Sequence, residues 1–250
     1  MSGIKKIYFL SDFHLGVPNY EKSLEREKKI VRFLDTVKND ASDIYLVGDI
    51  FDFWFEYKTA VPRGFVRLLG KLAELSDSGI KLHIFTGNHD MWIFDYLPKE
   101  LNANLYRESI ERTFNGKTFL IGHGDGLGPG DHGYKFIKKF FASKFCQWMF
   151  ARIHPNLGIG IANYWSGKSR LANQISDQIY LGDDKEFITI YCNETLQKKH
   201  YDYFIFGHRH LPLDILLNNQ KSRYINLGEW VNDPHYAVWN GEEITLTKWK

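Results

Sequence analysis

Seven side chains with nitrogen or oxygen donors are grouped in a way that suits divalent cations: Asp12, His14, Asp49, Asn88, His123, His208 and His210. They fall in five short segments, Asp12-Phe13-His14, Gly48-Asp49, Gly87-Asn88-His89-Asp90, Gly122-His123-Gly124-Asp125 and Gly207-His208-Arg209-His210. Imidazole and carboxylate donors without a thiolate suit Mn²⁺, Zn²⁺ or Fe²⁺, and seven donors exceed what one ordinary site takes. Two ions sharing one carboxylate would use the whole set. Taken singly, His123 reads as a hydrogen-bonded core histidine, Asn88 as a turn residue, and Gly48 and Gly87 as turn formers. It is the coincidence of five segments that carries the metal reading. His83, His132, His154, His200 and His235 fit no ligand position and read as structural.

Each segment follows an apolar, β-rich run: Ile4 to Ser11, Asp43 to Val47, Ile80 to Thr86, Thr118 to Ile121 and Tyr203 to Phe206. Four of the five runs end on a glycine where the chain can turn. Residues i and i+2 of a strand share one side, so Asp12 with His14, and His208 with His210, are each expected to aim into one cleft. Between the first strands, Glu21 to Lys38 shows helical spacing of Leu24, Ile30, Val31, Leu34 and Val37. A second amphipathic stretch runs from near Pro62 to Ser78-Gly79. Alternating strands and helices predict a parallel sheet, with ligands at the carboxyl ends of its strands.

Gly126, Gly128, Pro129, Gly130 and Gly133 mark a break, and Asp131 to about Leu181 reads largely as helix. The expected organisation is a core of residues 1–126 and 183–250 with a helical cap, 127–182, inserted into it. Alternating strands return from Tyr203 to Thr247, with Asn218-Asn219 and Asn240-Gly241 as hairpin signals. The predicted fold class is α/β, a two-sheet sandwich flanked by helices.

The 250 residues, 44% of them hydrophobic, are enough for a sizeable core. A net charge of +2, from 32 basic and 30 acidic residues, gives no case for nucleic acid as a partner. Two cysteines, Cys146 and Cys192, argue against a disulfide framework. The N-terminus runs into a strand without a signal-peptide pattern, and no apolar run approaches the ~20 residues that span a bilayer. A soluble cytoplasmic protein is expected.

In this order D-x-H, G-D, G-N-H-D, G-H and G-H-x-H resemble the calcineurin-like metallophosphoesterase family, over nearly the whole predicted core. The resemblance implies two divalent ions, Mn²⁺ foremost with Zn²⁺ or Fe²⁺ as alternatives. Asp12, His14, Asp49 and His210 would hold one, and Asp49, Asn88, His123 and His208 the other. It also implies in-line attack on phosphorus by a metal-bridging hydroxide, with His89 as acid for the leaving oxygen and Asp52, of Gly48-Asp49-Ile50-Phe51-Asp52, orienting it.

Two features bear on the substrate. Phe53-Trp54-Phe55 stands where protein phosphatases of the family carry a phosphate-gripping arginine, which argues against a phosphoprotein. In residues 131–152, Lys135, Lys138, Lys139, Lys144 and Arg152 accompany Phe136, Ile137, Phe140, Phe141, Phe145, Trp148, Met149 and Phe150. Such a stretch either lies on a membrane or lines an acyl groove, or it buries its aromatics on the core. Gly48-Asp49-x-Phe51, His123-Gly124-Asp125, the basic cap and Leu227-Gly228-Glu229-Trp230 are similar to the family branch that hydrolyses UDP-2,3-diacylglucosamine to UMP and 2,3-diacylglucosamine 1-phosphate. That likeness implies a nucleotide-linked lipid as substrate, peripheral contact with the cytoplasmic face of an inner membrane, and substrate contacts from Asn88, His89, Asp131, Ser166, Arg170 and His208, with Asn173 near Arg170 in the same stretch. The chain departs from the branch at His89, where the branch has arginine. A proton donor serves an alkoxide leaving group as well as a phosphate, so another phosphodiester or phosphomonoester stays open.

Overall fold

The computed structural model describes residues 5–130, 132–173, 179–180, 182 and 184–250, with the backbone alone for 168–173. Strand β1 (Lys6–Leu10) leads to helix α1 (Tyr20–Val37), then β2 (Ala41–Val47), α2 (Val66–Asp77) and β3 (Lys81–Phe85). Asn19 starts α1 by accepting the Lys22 amide at 2.9 Å, and Ile30, Phe33, Leu34 and Val37 form its buried stripe. Helix α2 begins four residues after Pro62, at Val66, with no side-chain cap of its own. Glu27 of α1 does that work, its Oε1 accepting the amides of Arg67 at 2.8 Å and Leu68 at 3.0 Å.

Beyond β3 come α3 (Tyr96–Leu101), β4 (Asn104–Tyr106), β5 (Ile110–Phe114) and β6 (Lys117–Ile121). The second half holds α7 (Phe187–Leu196), β7 (Tyr203–Phe206), β8 (Pro212–Leu216), β9 (Arg223–Leu227), β10 (His235–Trp239) and β11 (Ile244–Lys248). One sheet has the order β11-β10-β1-β2-β3-β4 and the other β5-β6-β7-β9-β8. Strands β1 to β4 run parallel, as do β6, β7 and β9, while the outer strands pair antiparallel. This is the two-sheet α/β architecture expected from the chain.

The sheets face each other through Phe9, Tyr45, Val47 and Phe85 on one side and Phe119, Ile121, Ile205 and Ile225 on the other. Helices α1 and α2 cover the outer face of the first sheet, and α7 that of the second. Parallel register puts Leu10 beside Leu46, Val47 beside Phe85, and Ile121 beside Ile205. All five donor-bearing segments therefore leave the sandwich at one end, as parallel sheets dictate.

Between β6 and α7 lie α4 (His132–Phe141), α5 (Lys144–Phe150) and α6 (Pro155–Asn173). Ser143 starts α5 by accepting the Cys146 amide at 3.2 Å. The segment is seated on the core by aromatic packing. The Phe150 ring lies 4.7 Å from both Phe55 and Trp92 and 5.7 Å from Phe53, and Trp92 Nε1 donates to Phe141 O at 2.9 Å.

Candidate active site

The donors do not sit in strands. Asp12, His14, Asp49, His208 and His210 all have positive φ, between 35° and 68°, in the loops that follow β1, β2 and β7. The strand rule for i and i+2 therefore does not place Asp12 with His14 or His208 with His210; left-handed turns do. Such a backbone costs a non-glycine residue about 1–3 kcal/mol, and it persists where the surroundings hold it. Here they do. The His208 amide donates to Asp12 Oδ2 at 3.0 Å, the His89 amide to Asp49 Oδ1 at 2.9 Å, and Ser11 Oγ to Asp12 Oδ2 and to Val47 O at 3.0 Å. From α1, the buried Arg26 donates to His14 O at 2.6 Å and Val17 O at 2.5 Å.

Gly48, Gly87, Gly122 and Gly207 of the segments are required for space. Gly87 has no positive φ, yet a Cβ there would stand 2.7 Å from Asp49 Cγ, and one on Gly207 would stand 2.9 Å from Ser11 Cβ. Gly87 thus admits a carboxylate rather than turning the chain.

The side chains form two sets that meet at Asp49. In the first, Nε2 of His14 and Nε2 of His210 approach to 3.0 Å, with Asp12 Oδ1 3.6 and 3.3 Å from them, and Asp49 Oδ2 3.8 Å from His14 Nε2. In the second, His123 Nε2 lies 3.3 Å from both Asp49 Oδ2 and Asn88 Oδ1, and His208 Nδ1 lies 3.1 Å from Asn88 Oδ1. His123 Nδ1 donates to Val47 O at 2.8 Å, which leaves Nε2 as its ligating nitrogen.

Asp12 Oδ1 is fully buried with no hydrogen-bond partner, although two imidazole nitrogens face it. A buried unpaired carboxylate oxygen is costly, and a cation among these nitrogens removes the cost, so the residues fit a divalent metal. The electrostatics agree. Burial pushes the Asp12 and Asp49 carboxyls up, but imidazoles against them, His14 and His210 for Asp12 and His123 for Asp49, hold both well below the usual range. Burial lowers His14 to about 3 and, with the His123 charge, His208 to about 4, so both present neutral nitrogen at pH 7. Burial acts to lower His123 as well, but the Asp49 carboxylate raises it to about 10. A metal ion at His123 must displace that proton.

His89 stands beside the first set, its ring 4.9 Å from that of His14. Its Nδ1 is 3.0 Å from Asp52 O and 3.5 Å from Asp52 Oδ1. Ser166 of α6 reaches the same spot, its Oγ donating to Asp52 Oδ2 at 2.7 Å and lying 3.1 Å from His89 Nδ1. Ser166 and the donors, distant in sequence, are thus brought together. Asp131 lies outside the described residues, as do the side chains of Arg170 and Asn173.

Several supporting residues were not singled out by spacing. Asp90 is fully buried and accepts the amides of Gly87 at 2.7 Å and Ile50 at 2.8 Å, tying the β3 loop to the β2 loop; burial and Asp49 push its carboxyl up to about 7. Arg209, between two donors, makes a buried two-bonded pair with Glu186, at 2.9 and 3.0 Å, and donates to Ile179 O at 2.8 Å. Asp125 accepts Tyr134 Oη at 2.8 Å and Lys138 Nζ at 2.6 Å from α4. Asp90, Asp125 and Arg209 each lie within a segment and could have been suspected from that place, whereas Glu186, Tyr134 and Lys138 could not. Their pairings join residues that no local pattern relates.

The aromatics of residues 131–152 divide between the two readings. Phe141 and Phe150 pack inward, whereas Phe136 (73% exposed), Phe145 (63%), Trp148 (56%) and Met149 (48%) face solvent. Phe53 and Phe55 serve as the seat for Phe150. Among the described residues no helix is long and apolar enough to cross a membrane.

A family model described as calcineurin-like phosphoesterase matches residues 5–212. The chain is 37% identical over 253 residues to the UDP-2,3-diacylglucosamine hydrolase of Porphyromonas gingivalis, across 96% of each chain. It is 27% identical over 241 residues to the protein of the same name from Aeromonas salmonicida, across 95% of this chain and 91% of that one. Among solved structures, a novel archaeal phosphodiesterase aligns over 98% of this chain and 99% of its own, with a TM-score of 0.48 and 14% identity.

Proposed function

We propose that this chain, which belongs to the calcineurin-like phosphoesterase family, hydrolyses UDP-2,3-diacylglucosamine to UMP and 2,3-diacylglucosamine 1-phosphate. The observation that carries the reading is the 37% identity over 96% of the chain, a span that takes in α4–α6 as well as the sheets. Residues 127–182 act in it as a cap over a core of 1–126 and 183–250.

Two divalent cations, with Mn²⁺ preferred over Zn²⁺ or Fe²⁺, would be held by Asp12, His14, Asp49 and His210 and by Asp49, Asn88, His123 and His208. When bound they supply water activation and neutralise charge on the phosphoryl group. Their protein ligands keep the carboxylates ionised and two imidazoles neutral, so the pocket is set for cations before they arrive. Since Asp52 O can only accept, His89 Nδ1 donates to it, so as an acid the ring would act in its imidazolium form, giving the Nε2 proton to the leaving oxygen and ending neutral. Asp52 orients that ring and Ser166 bridges ring and carboxylate, so the cap completes the acid. Asn88, His89 and His208 face the substrate phosphates, with Ser166, Asp131 and Arg170 contributing from the cap.

The exposed Phe136, Phe145, Trp148 and Met149, flanked by the exposed Lys139, Lys144 and Arg152, suit shallow contact with an anionic membrane surface, where this lipid substrate resides. His89 favours one second reading, hydrolysis of a different phosphodiester with an alkoxide leaving group. Mass spectrometry of the Mn²⁺-loaded protein with UDP-2,3-diacylglucosamine tests the choice. UMP and the lipid monophosphate in equal amounts are expected; an untouched substrate beside rapid cleavage of an aryl diester would favour the second reading.

A further inference from the structure

The two donor sets are supported from different parts of the molecule. Asp12 and His14 are held from the core, by Ser11 and by Arg26 of α1. His123 opens a loop, residues 122–128, that α4 holds instead. Tyr134 Oη donates to Asp125 Oδ2 at 2.8 Å, and Lys138 Nζ pairs with the same oxygen at 2.6 Å and donates to Asp125 O at 3.1 Å. Lys135 Nζ donates to Gly128 O at 2.6 Å.

Positions 134, 135 and 138 share one face of a helix, and all three side chains are half-buried. The opposite face carries Phe136 and Phe140 to solvent, so one helix separates the two tasks. Helix α7 leaves the loop no room to retreat. A Cβ on Gly128 would stand 2.3 Å from Phe187 O, and one on Gly124 would stand 3.0 Å from Ile188 Cδ1. A loop packed between α4 and α7 cannot shift at Asp125 without moving His123, two residues earlier.

Of the three α4 side chains, Lys138 alone balances the charge of the buried Asp125 with a direct ion pair. Without it the carboxylate is left buried and uncompensated, beside His123 and close to His208, whose ring lies 6.5 Å from that of Tyr134. We infer that Lys138 is a positioning residue for the second donor set: through Asp125 it fixes the His123 loop, so that cation binding at His123, Asn88 and His208 and seating of α4 on the core are linked. The inference rests on the two-cation reading. Linkage is reciprocal, so a cation in that set also holds α4 in place. The first set, held from α1, is independent of α4.

The test is a Mn²⁺ titration of the metal-free full chain, with hydrogen exchange of residues 132–141 followed at each step, on the parent, Lys138→Met and Lys138→Arg. The parent is expected to take up two ions, and α4 exchange to slow as the weaker one enters. In Lys138→Met the weaker ion should bind about 10-fold less tightly and the tighter ion within about twofold of the parent, with the slowing of α4 lost. Lys138→Arg keeps the cation and should restore both. Tyr134→Phe, which removes one donor and no charge, should weaken the same ion by about threefold and serves if Lys138→Met does not fold. A purely structural role would weaken both ions together and would not be rescued by arginine. Parent-like titration of the variants, equal weakening of both ions, or α4 exchange in the parent indifferent to Mn²⁺ would overturn the linkage. A parent that fails to bind two ions would instead sink the two-cation reading, and the linkage with it.

Discussion

The donor-bearing loops and the α4–α5 helices make opposite use of the chain. In the loops, Asp12, His14 and Asp49 are buried, have left-handed backbones, and are fixed by contacts from Arg26, Ser11 and the His89 and His208 amides. Helices α4 and α5 contain no buried residue, and most of their large apolar side chains meet solvent. Ligand geometry tolerates little displacement, so strain is accepted there and held by surrounding bonds. Recognition of a fluid lipid needs apolar area more than fixed angles, so an adaptable surface suffices. Chemistry and selectivity can then fail independently, which is how the contrast is tested.

The largest effect is expected at the shared carboxylate. Asp49→Asn should lower kcat roughly 10³-fold or more on both lipid and soluble substrates, by removing several kcal/mol of transition-state stabilisation. Metal content by elemental analysis should fall with it. Next comes the pair behind the last two donors. Breaking a buried ion pair costs about 3–5 kcal/mol, so Arg209→Met should lower Tm sharply, while Glu186→Gln keeps an acceptor and should lose less. Metal affinity in Glu186→Gln is expected to fall about 10-fold, and excess Mn²⁺ should restore kcat.

On the other side of the comparison, Trp148→Ala should raise KM for UDP-2,3-diacylglucosamine several-fold and leave an aryl diester unaffected, as steady-state kinetics would show. The smallest effect lies far from both regions. Burial tends to raise the Asp202 carboxyl, but the Thr118 amide at 2.8 Å, Thr118 Oγ1 at 3.0 Å and Lys117 at 3.1 Å lower it below its ordinary value. A lowered folded-state pKa contributes stability above the unfolded value of about 3.9 that is lost as pH falls through the folded one. Asp202→Asn should thus cost under about 1 kcal/mol at pH 7 by denaturant titration, the difference fading in acid.

Much of this was legible in the sequence because local periodicity and segment order are both local signals. The spacing of Ile30, Leu34 and Val37 foretold α1, and the glycine-marked segments foretold where the sheet ends gather. The short β4 and β5, and α7 with its weak amphipathicity, carried too little periodicity to stand out, although Asn115-Gly116 is a hairpin signal between β5 and β6. At the site, residue types were legible but the backbone that delivers them was not. Left-handed φ at Asp12 and His14 depends on contacts from α1, through Arg26, and from the carbonyls of Gly48 and Asp49 in the loop after β2, which no local pattern relates. The role of Gly87 was hidden for the same reason: the side chain it admits belongs to another strand's loop. The buried Arg209–Glu186 pair is a tertiary fact with no periodic trace.

The most direct test of the whole account is the ratio of kcat/KM for UDP-2,3-diacylglucosamine to that for a soluble aryl phosphodiester, measured on one preparation of the Mn²⁺-loaded protein. A ratio of roughly 10² or more is expected, since the exposed apolar side chains of α4 and α5 add binding that the diester cannot use. A ratio near or below one, with metal bound, would contradict it.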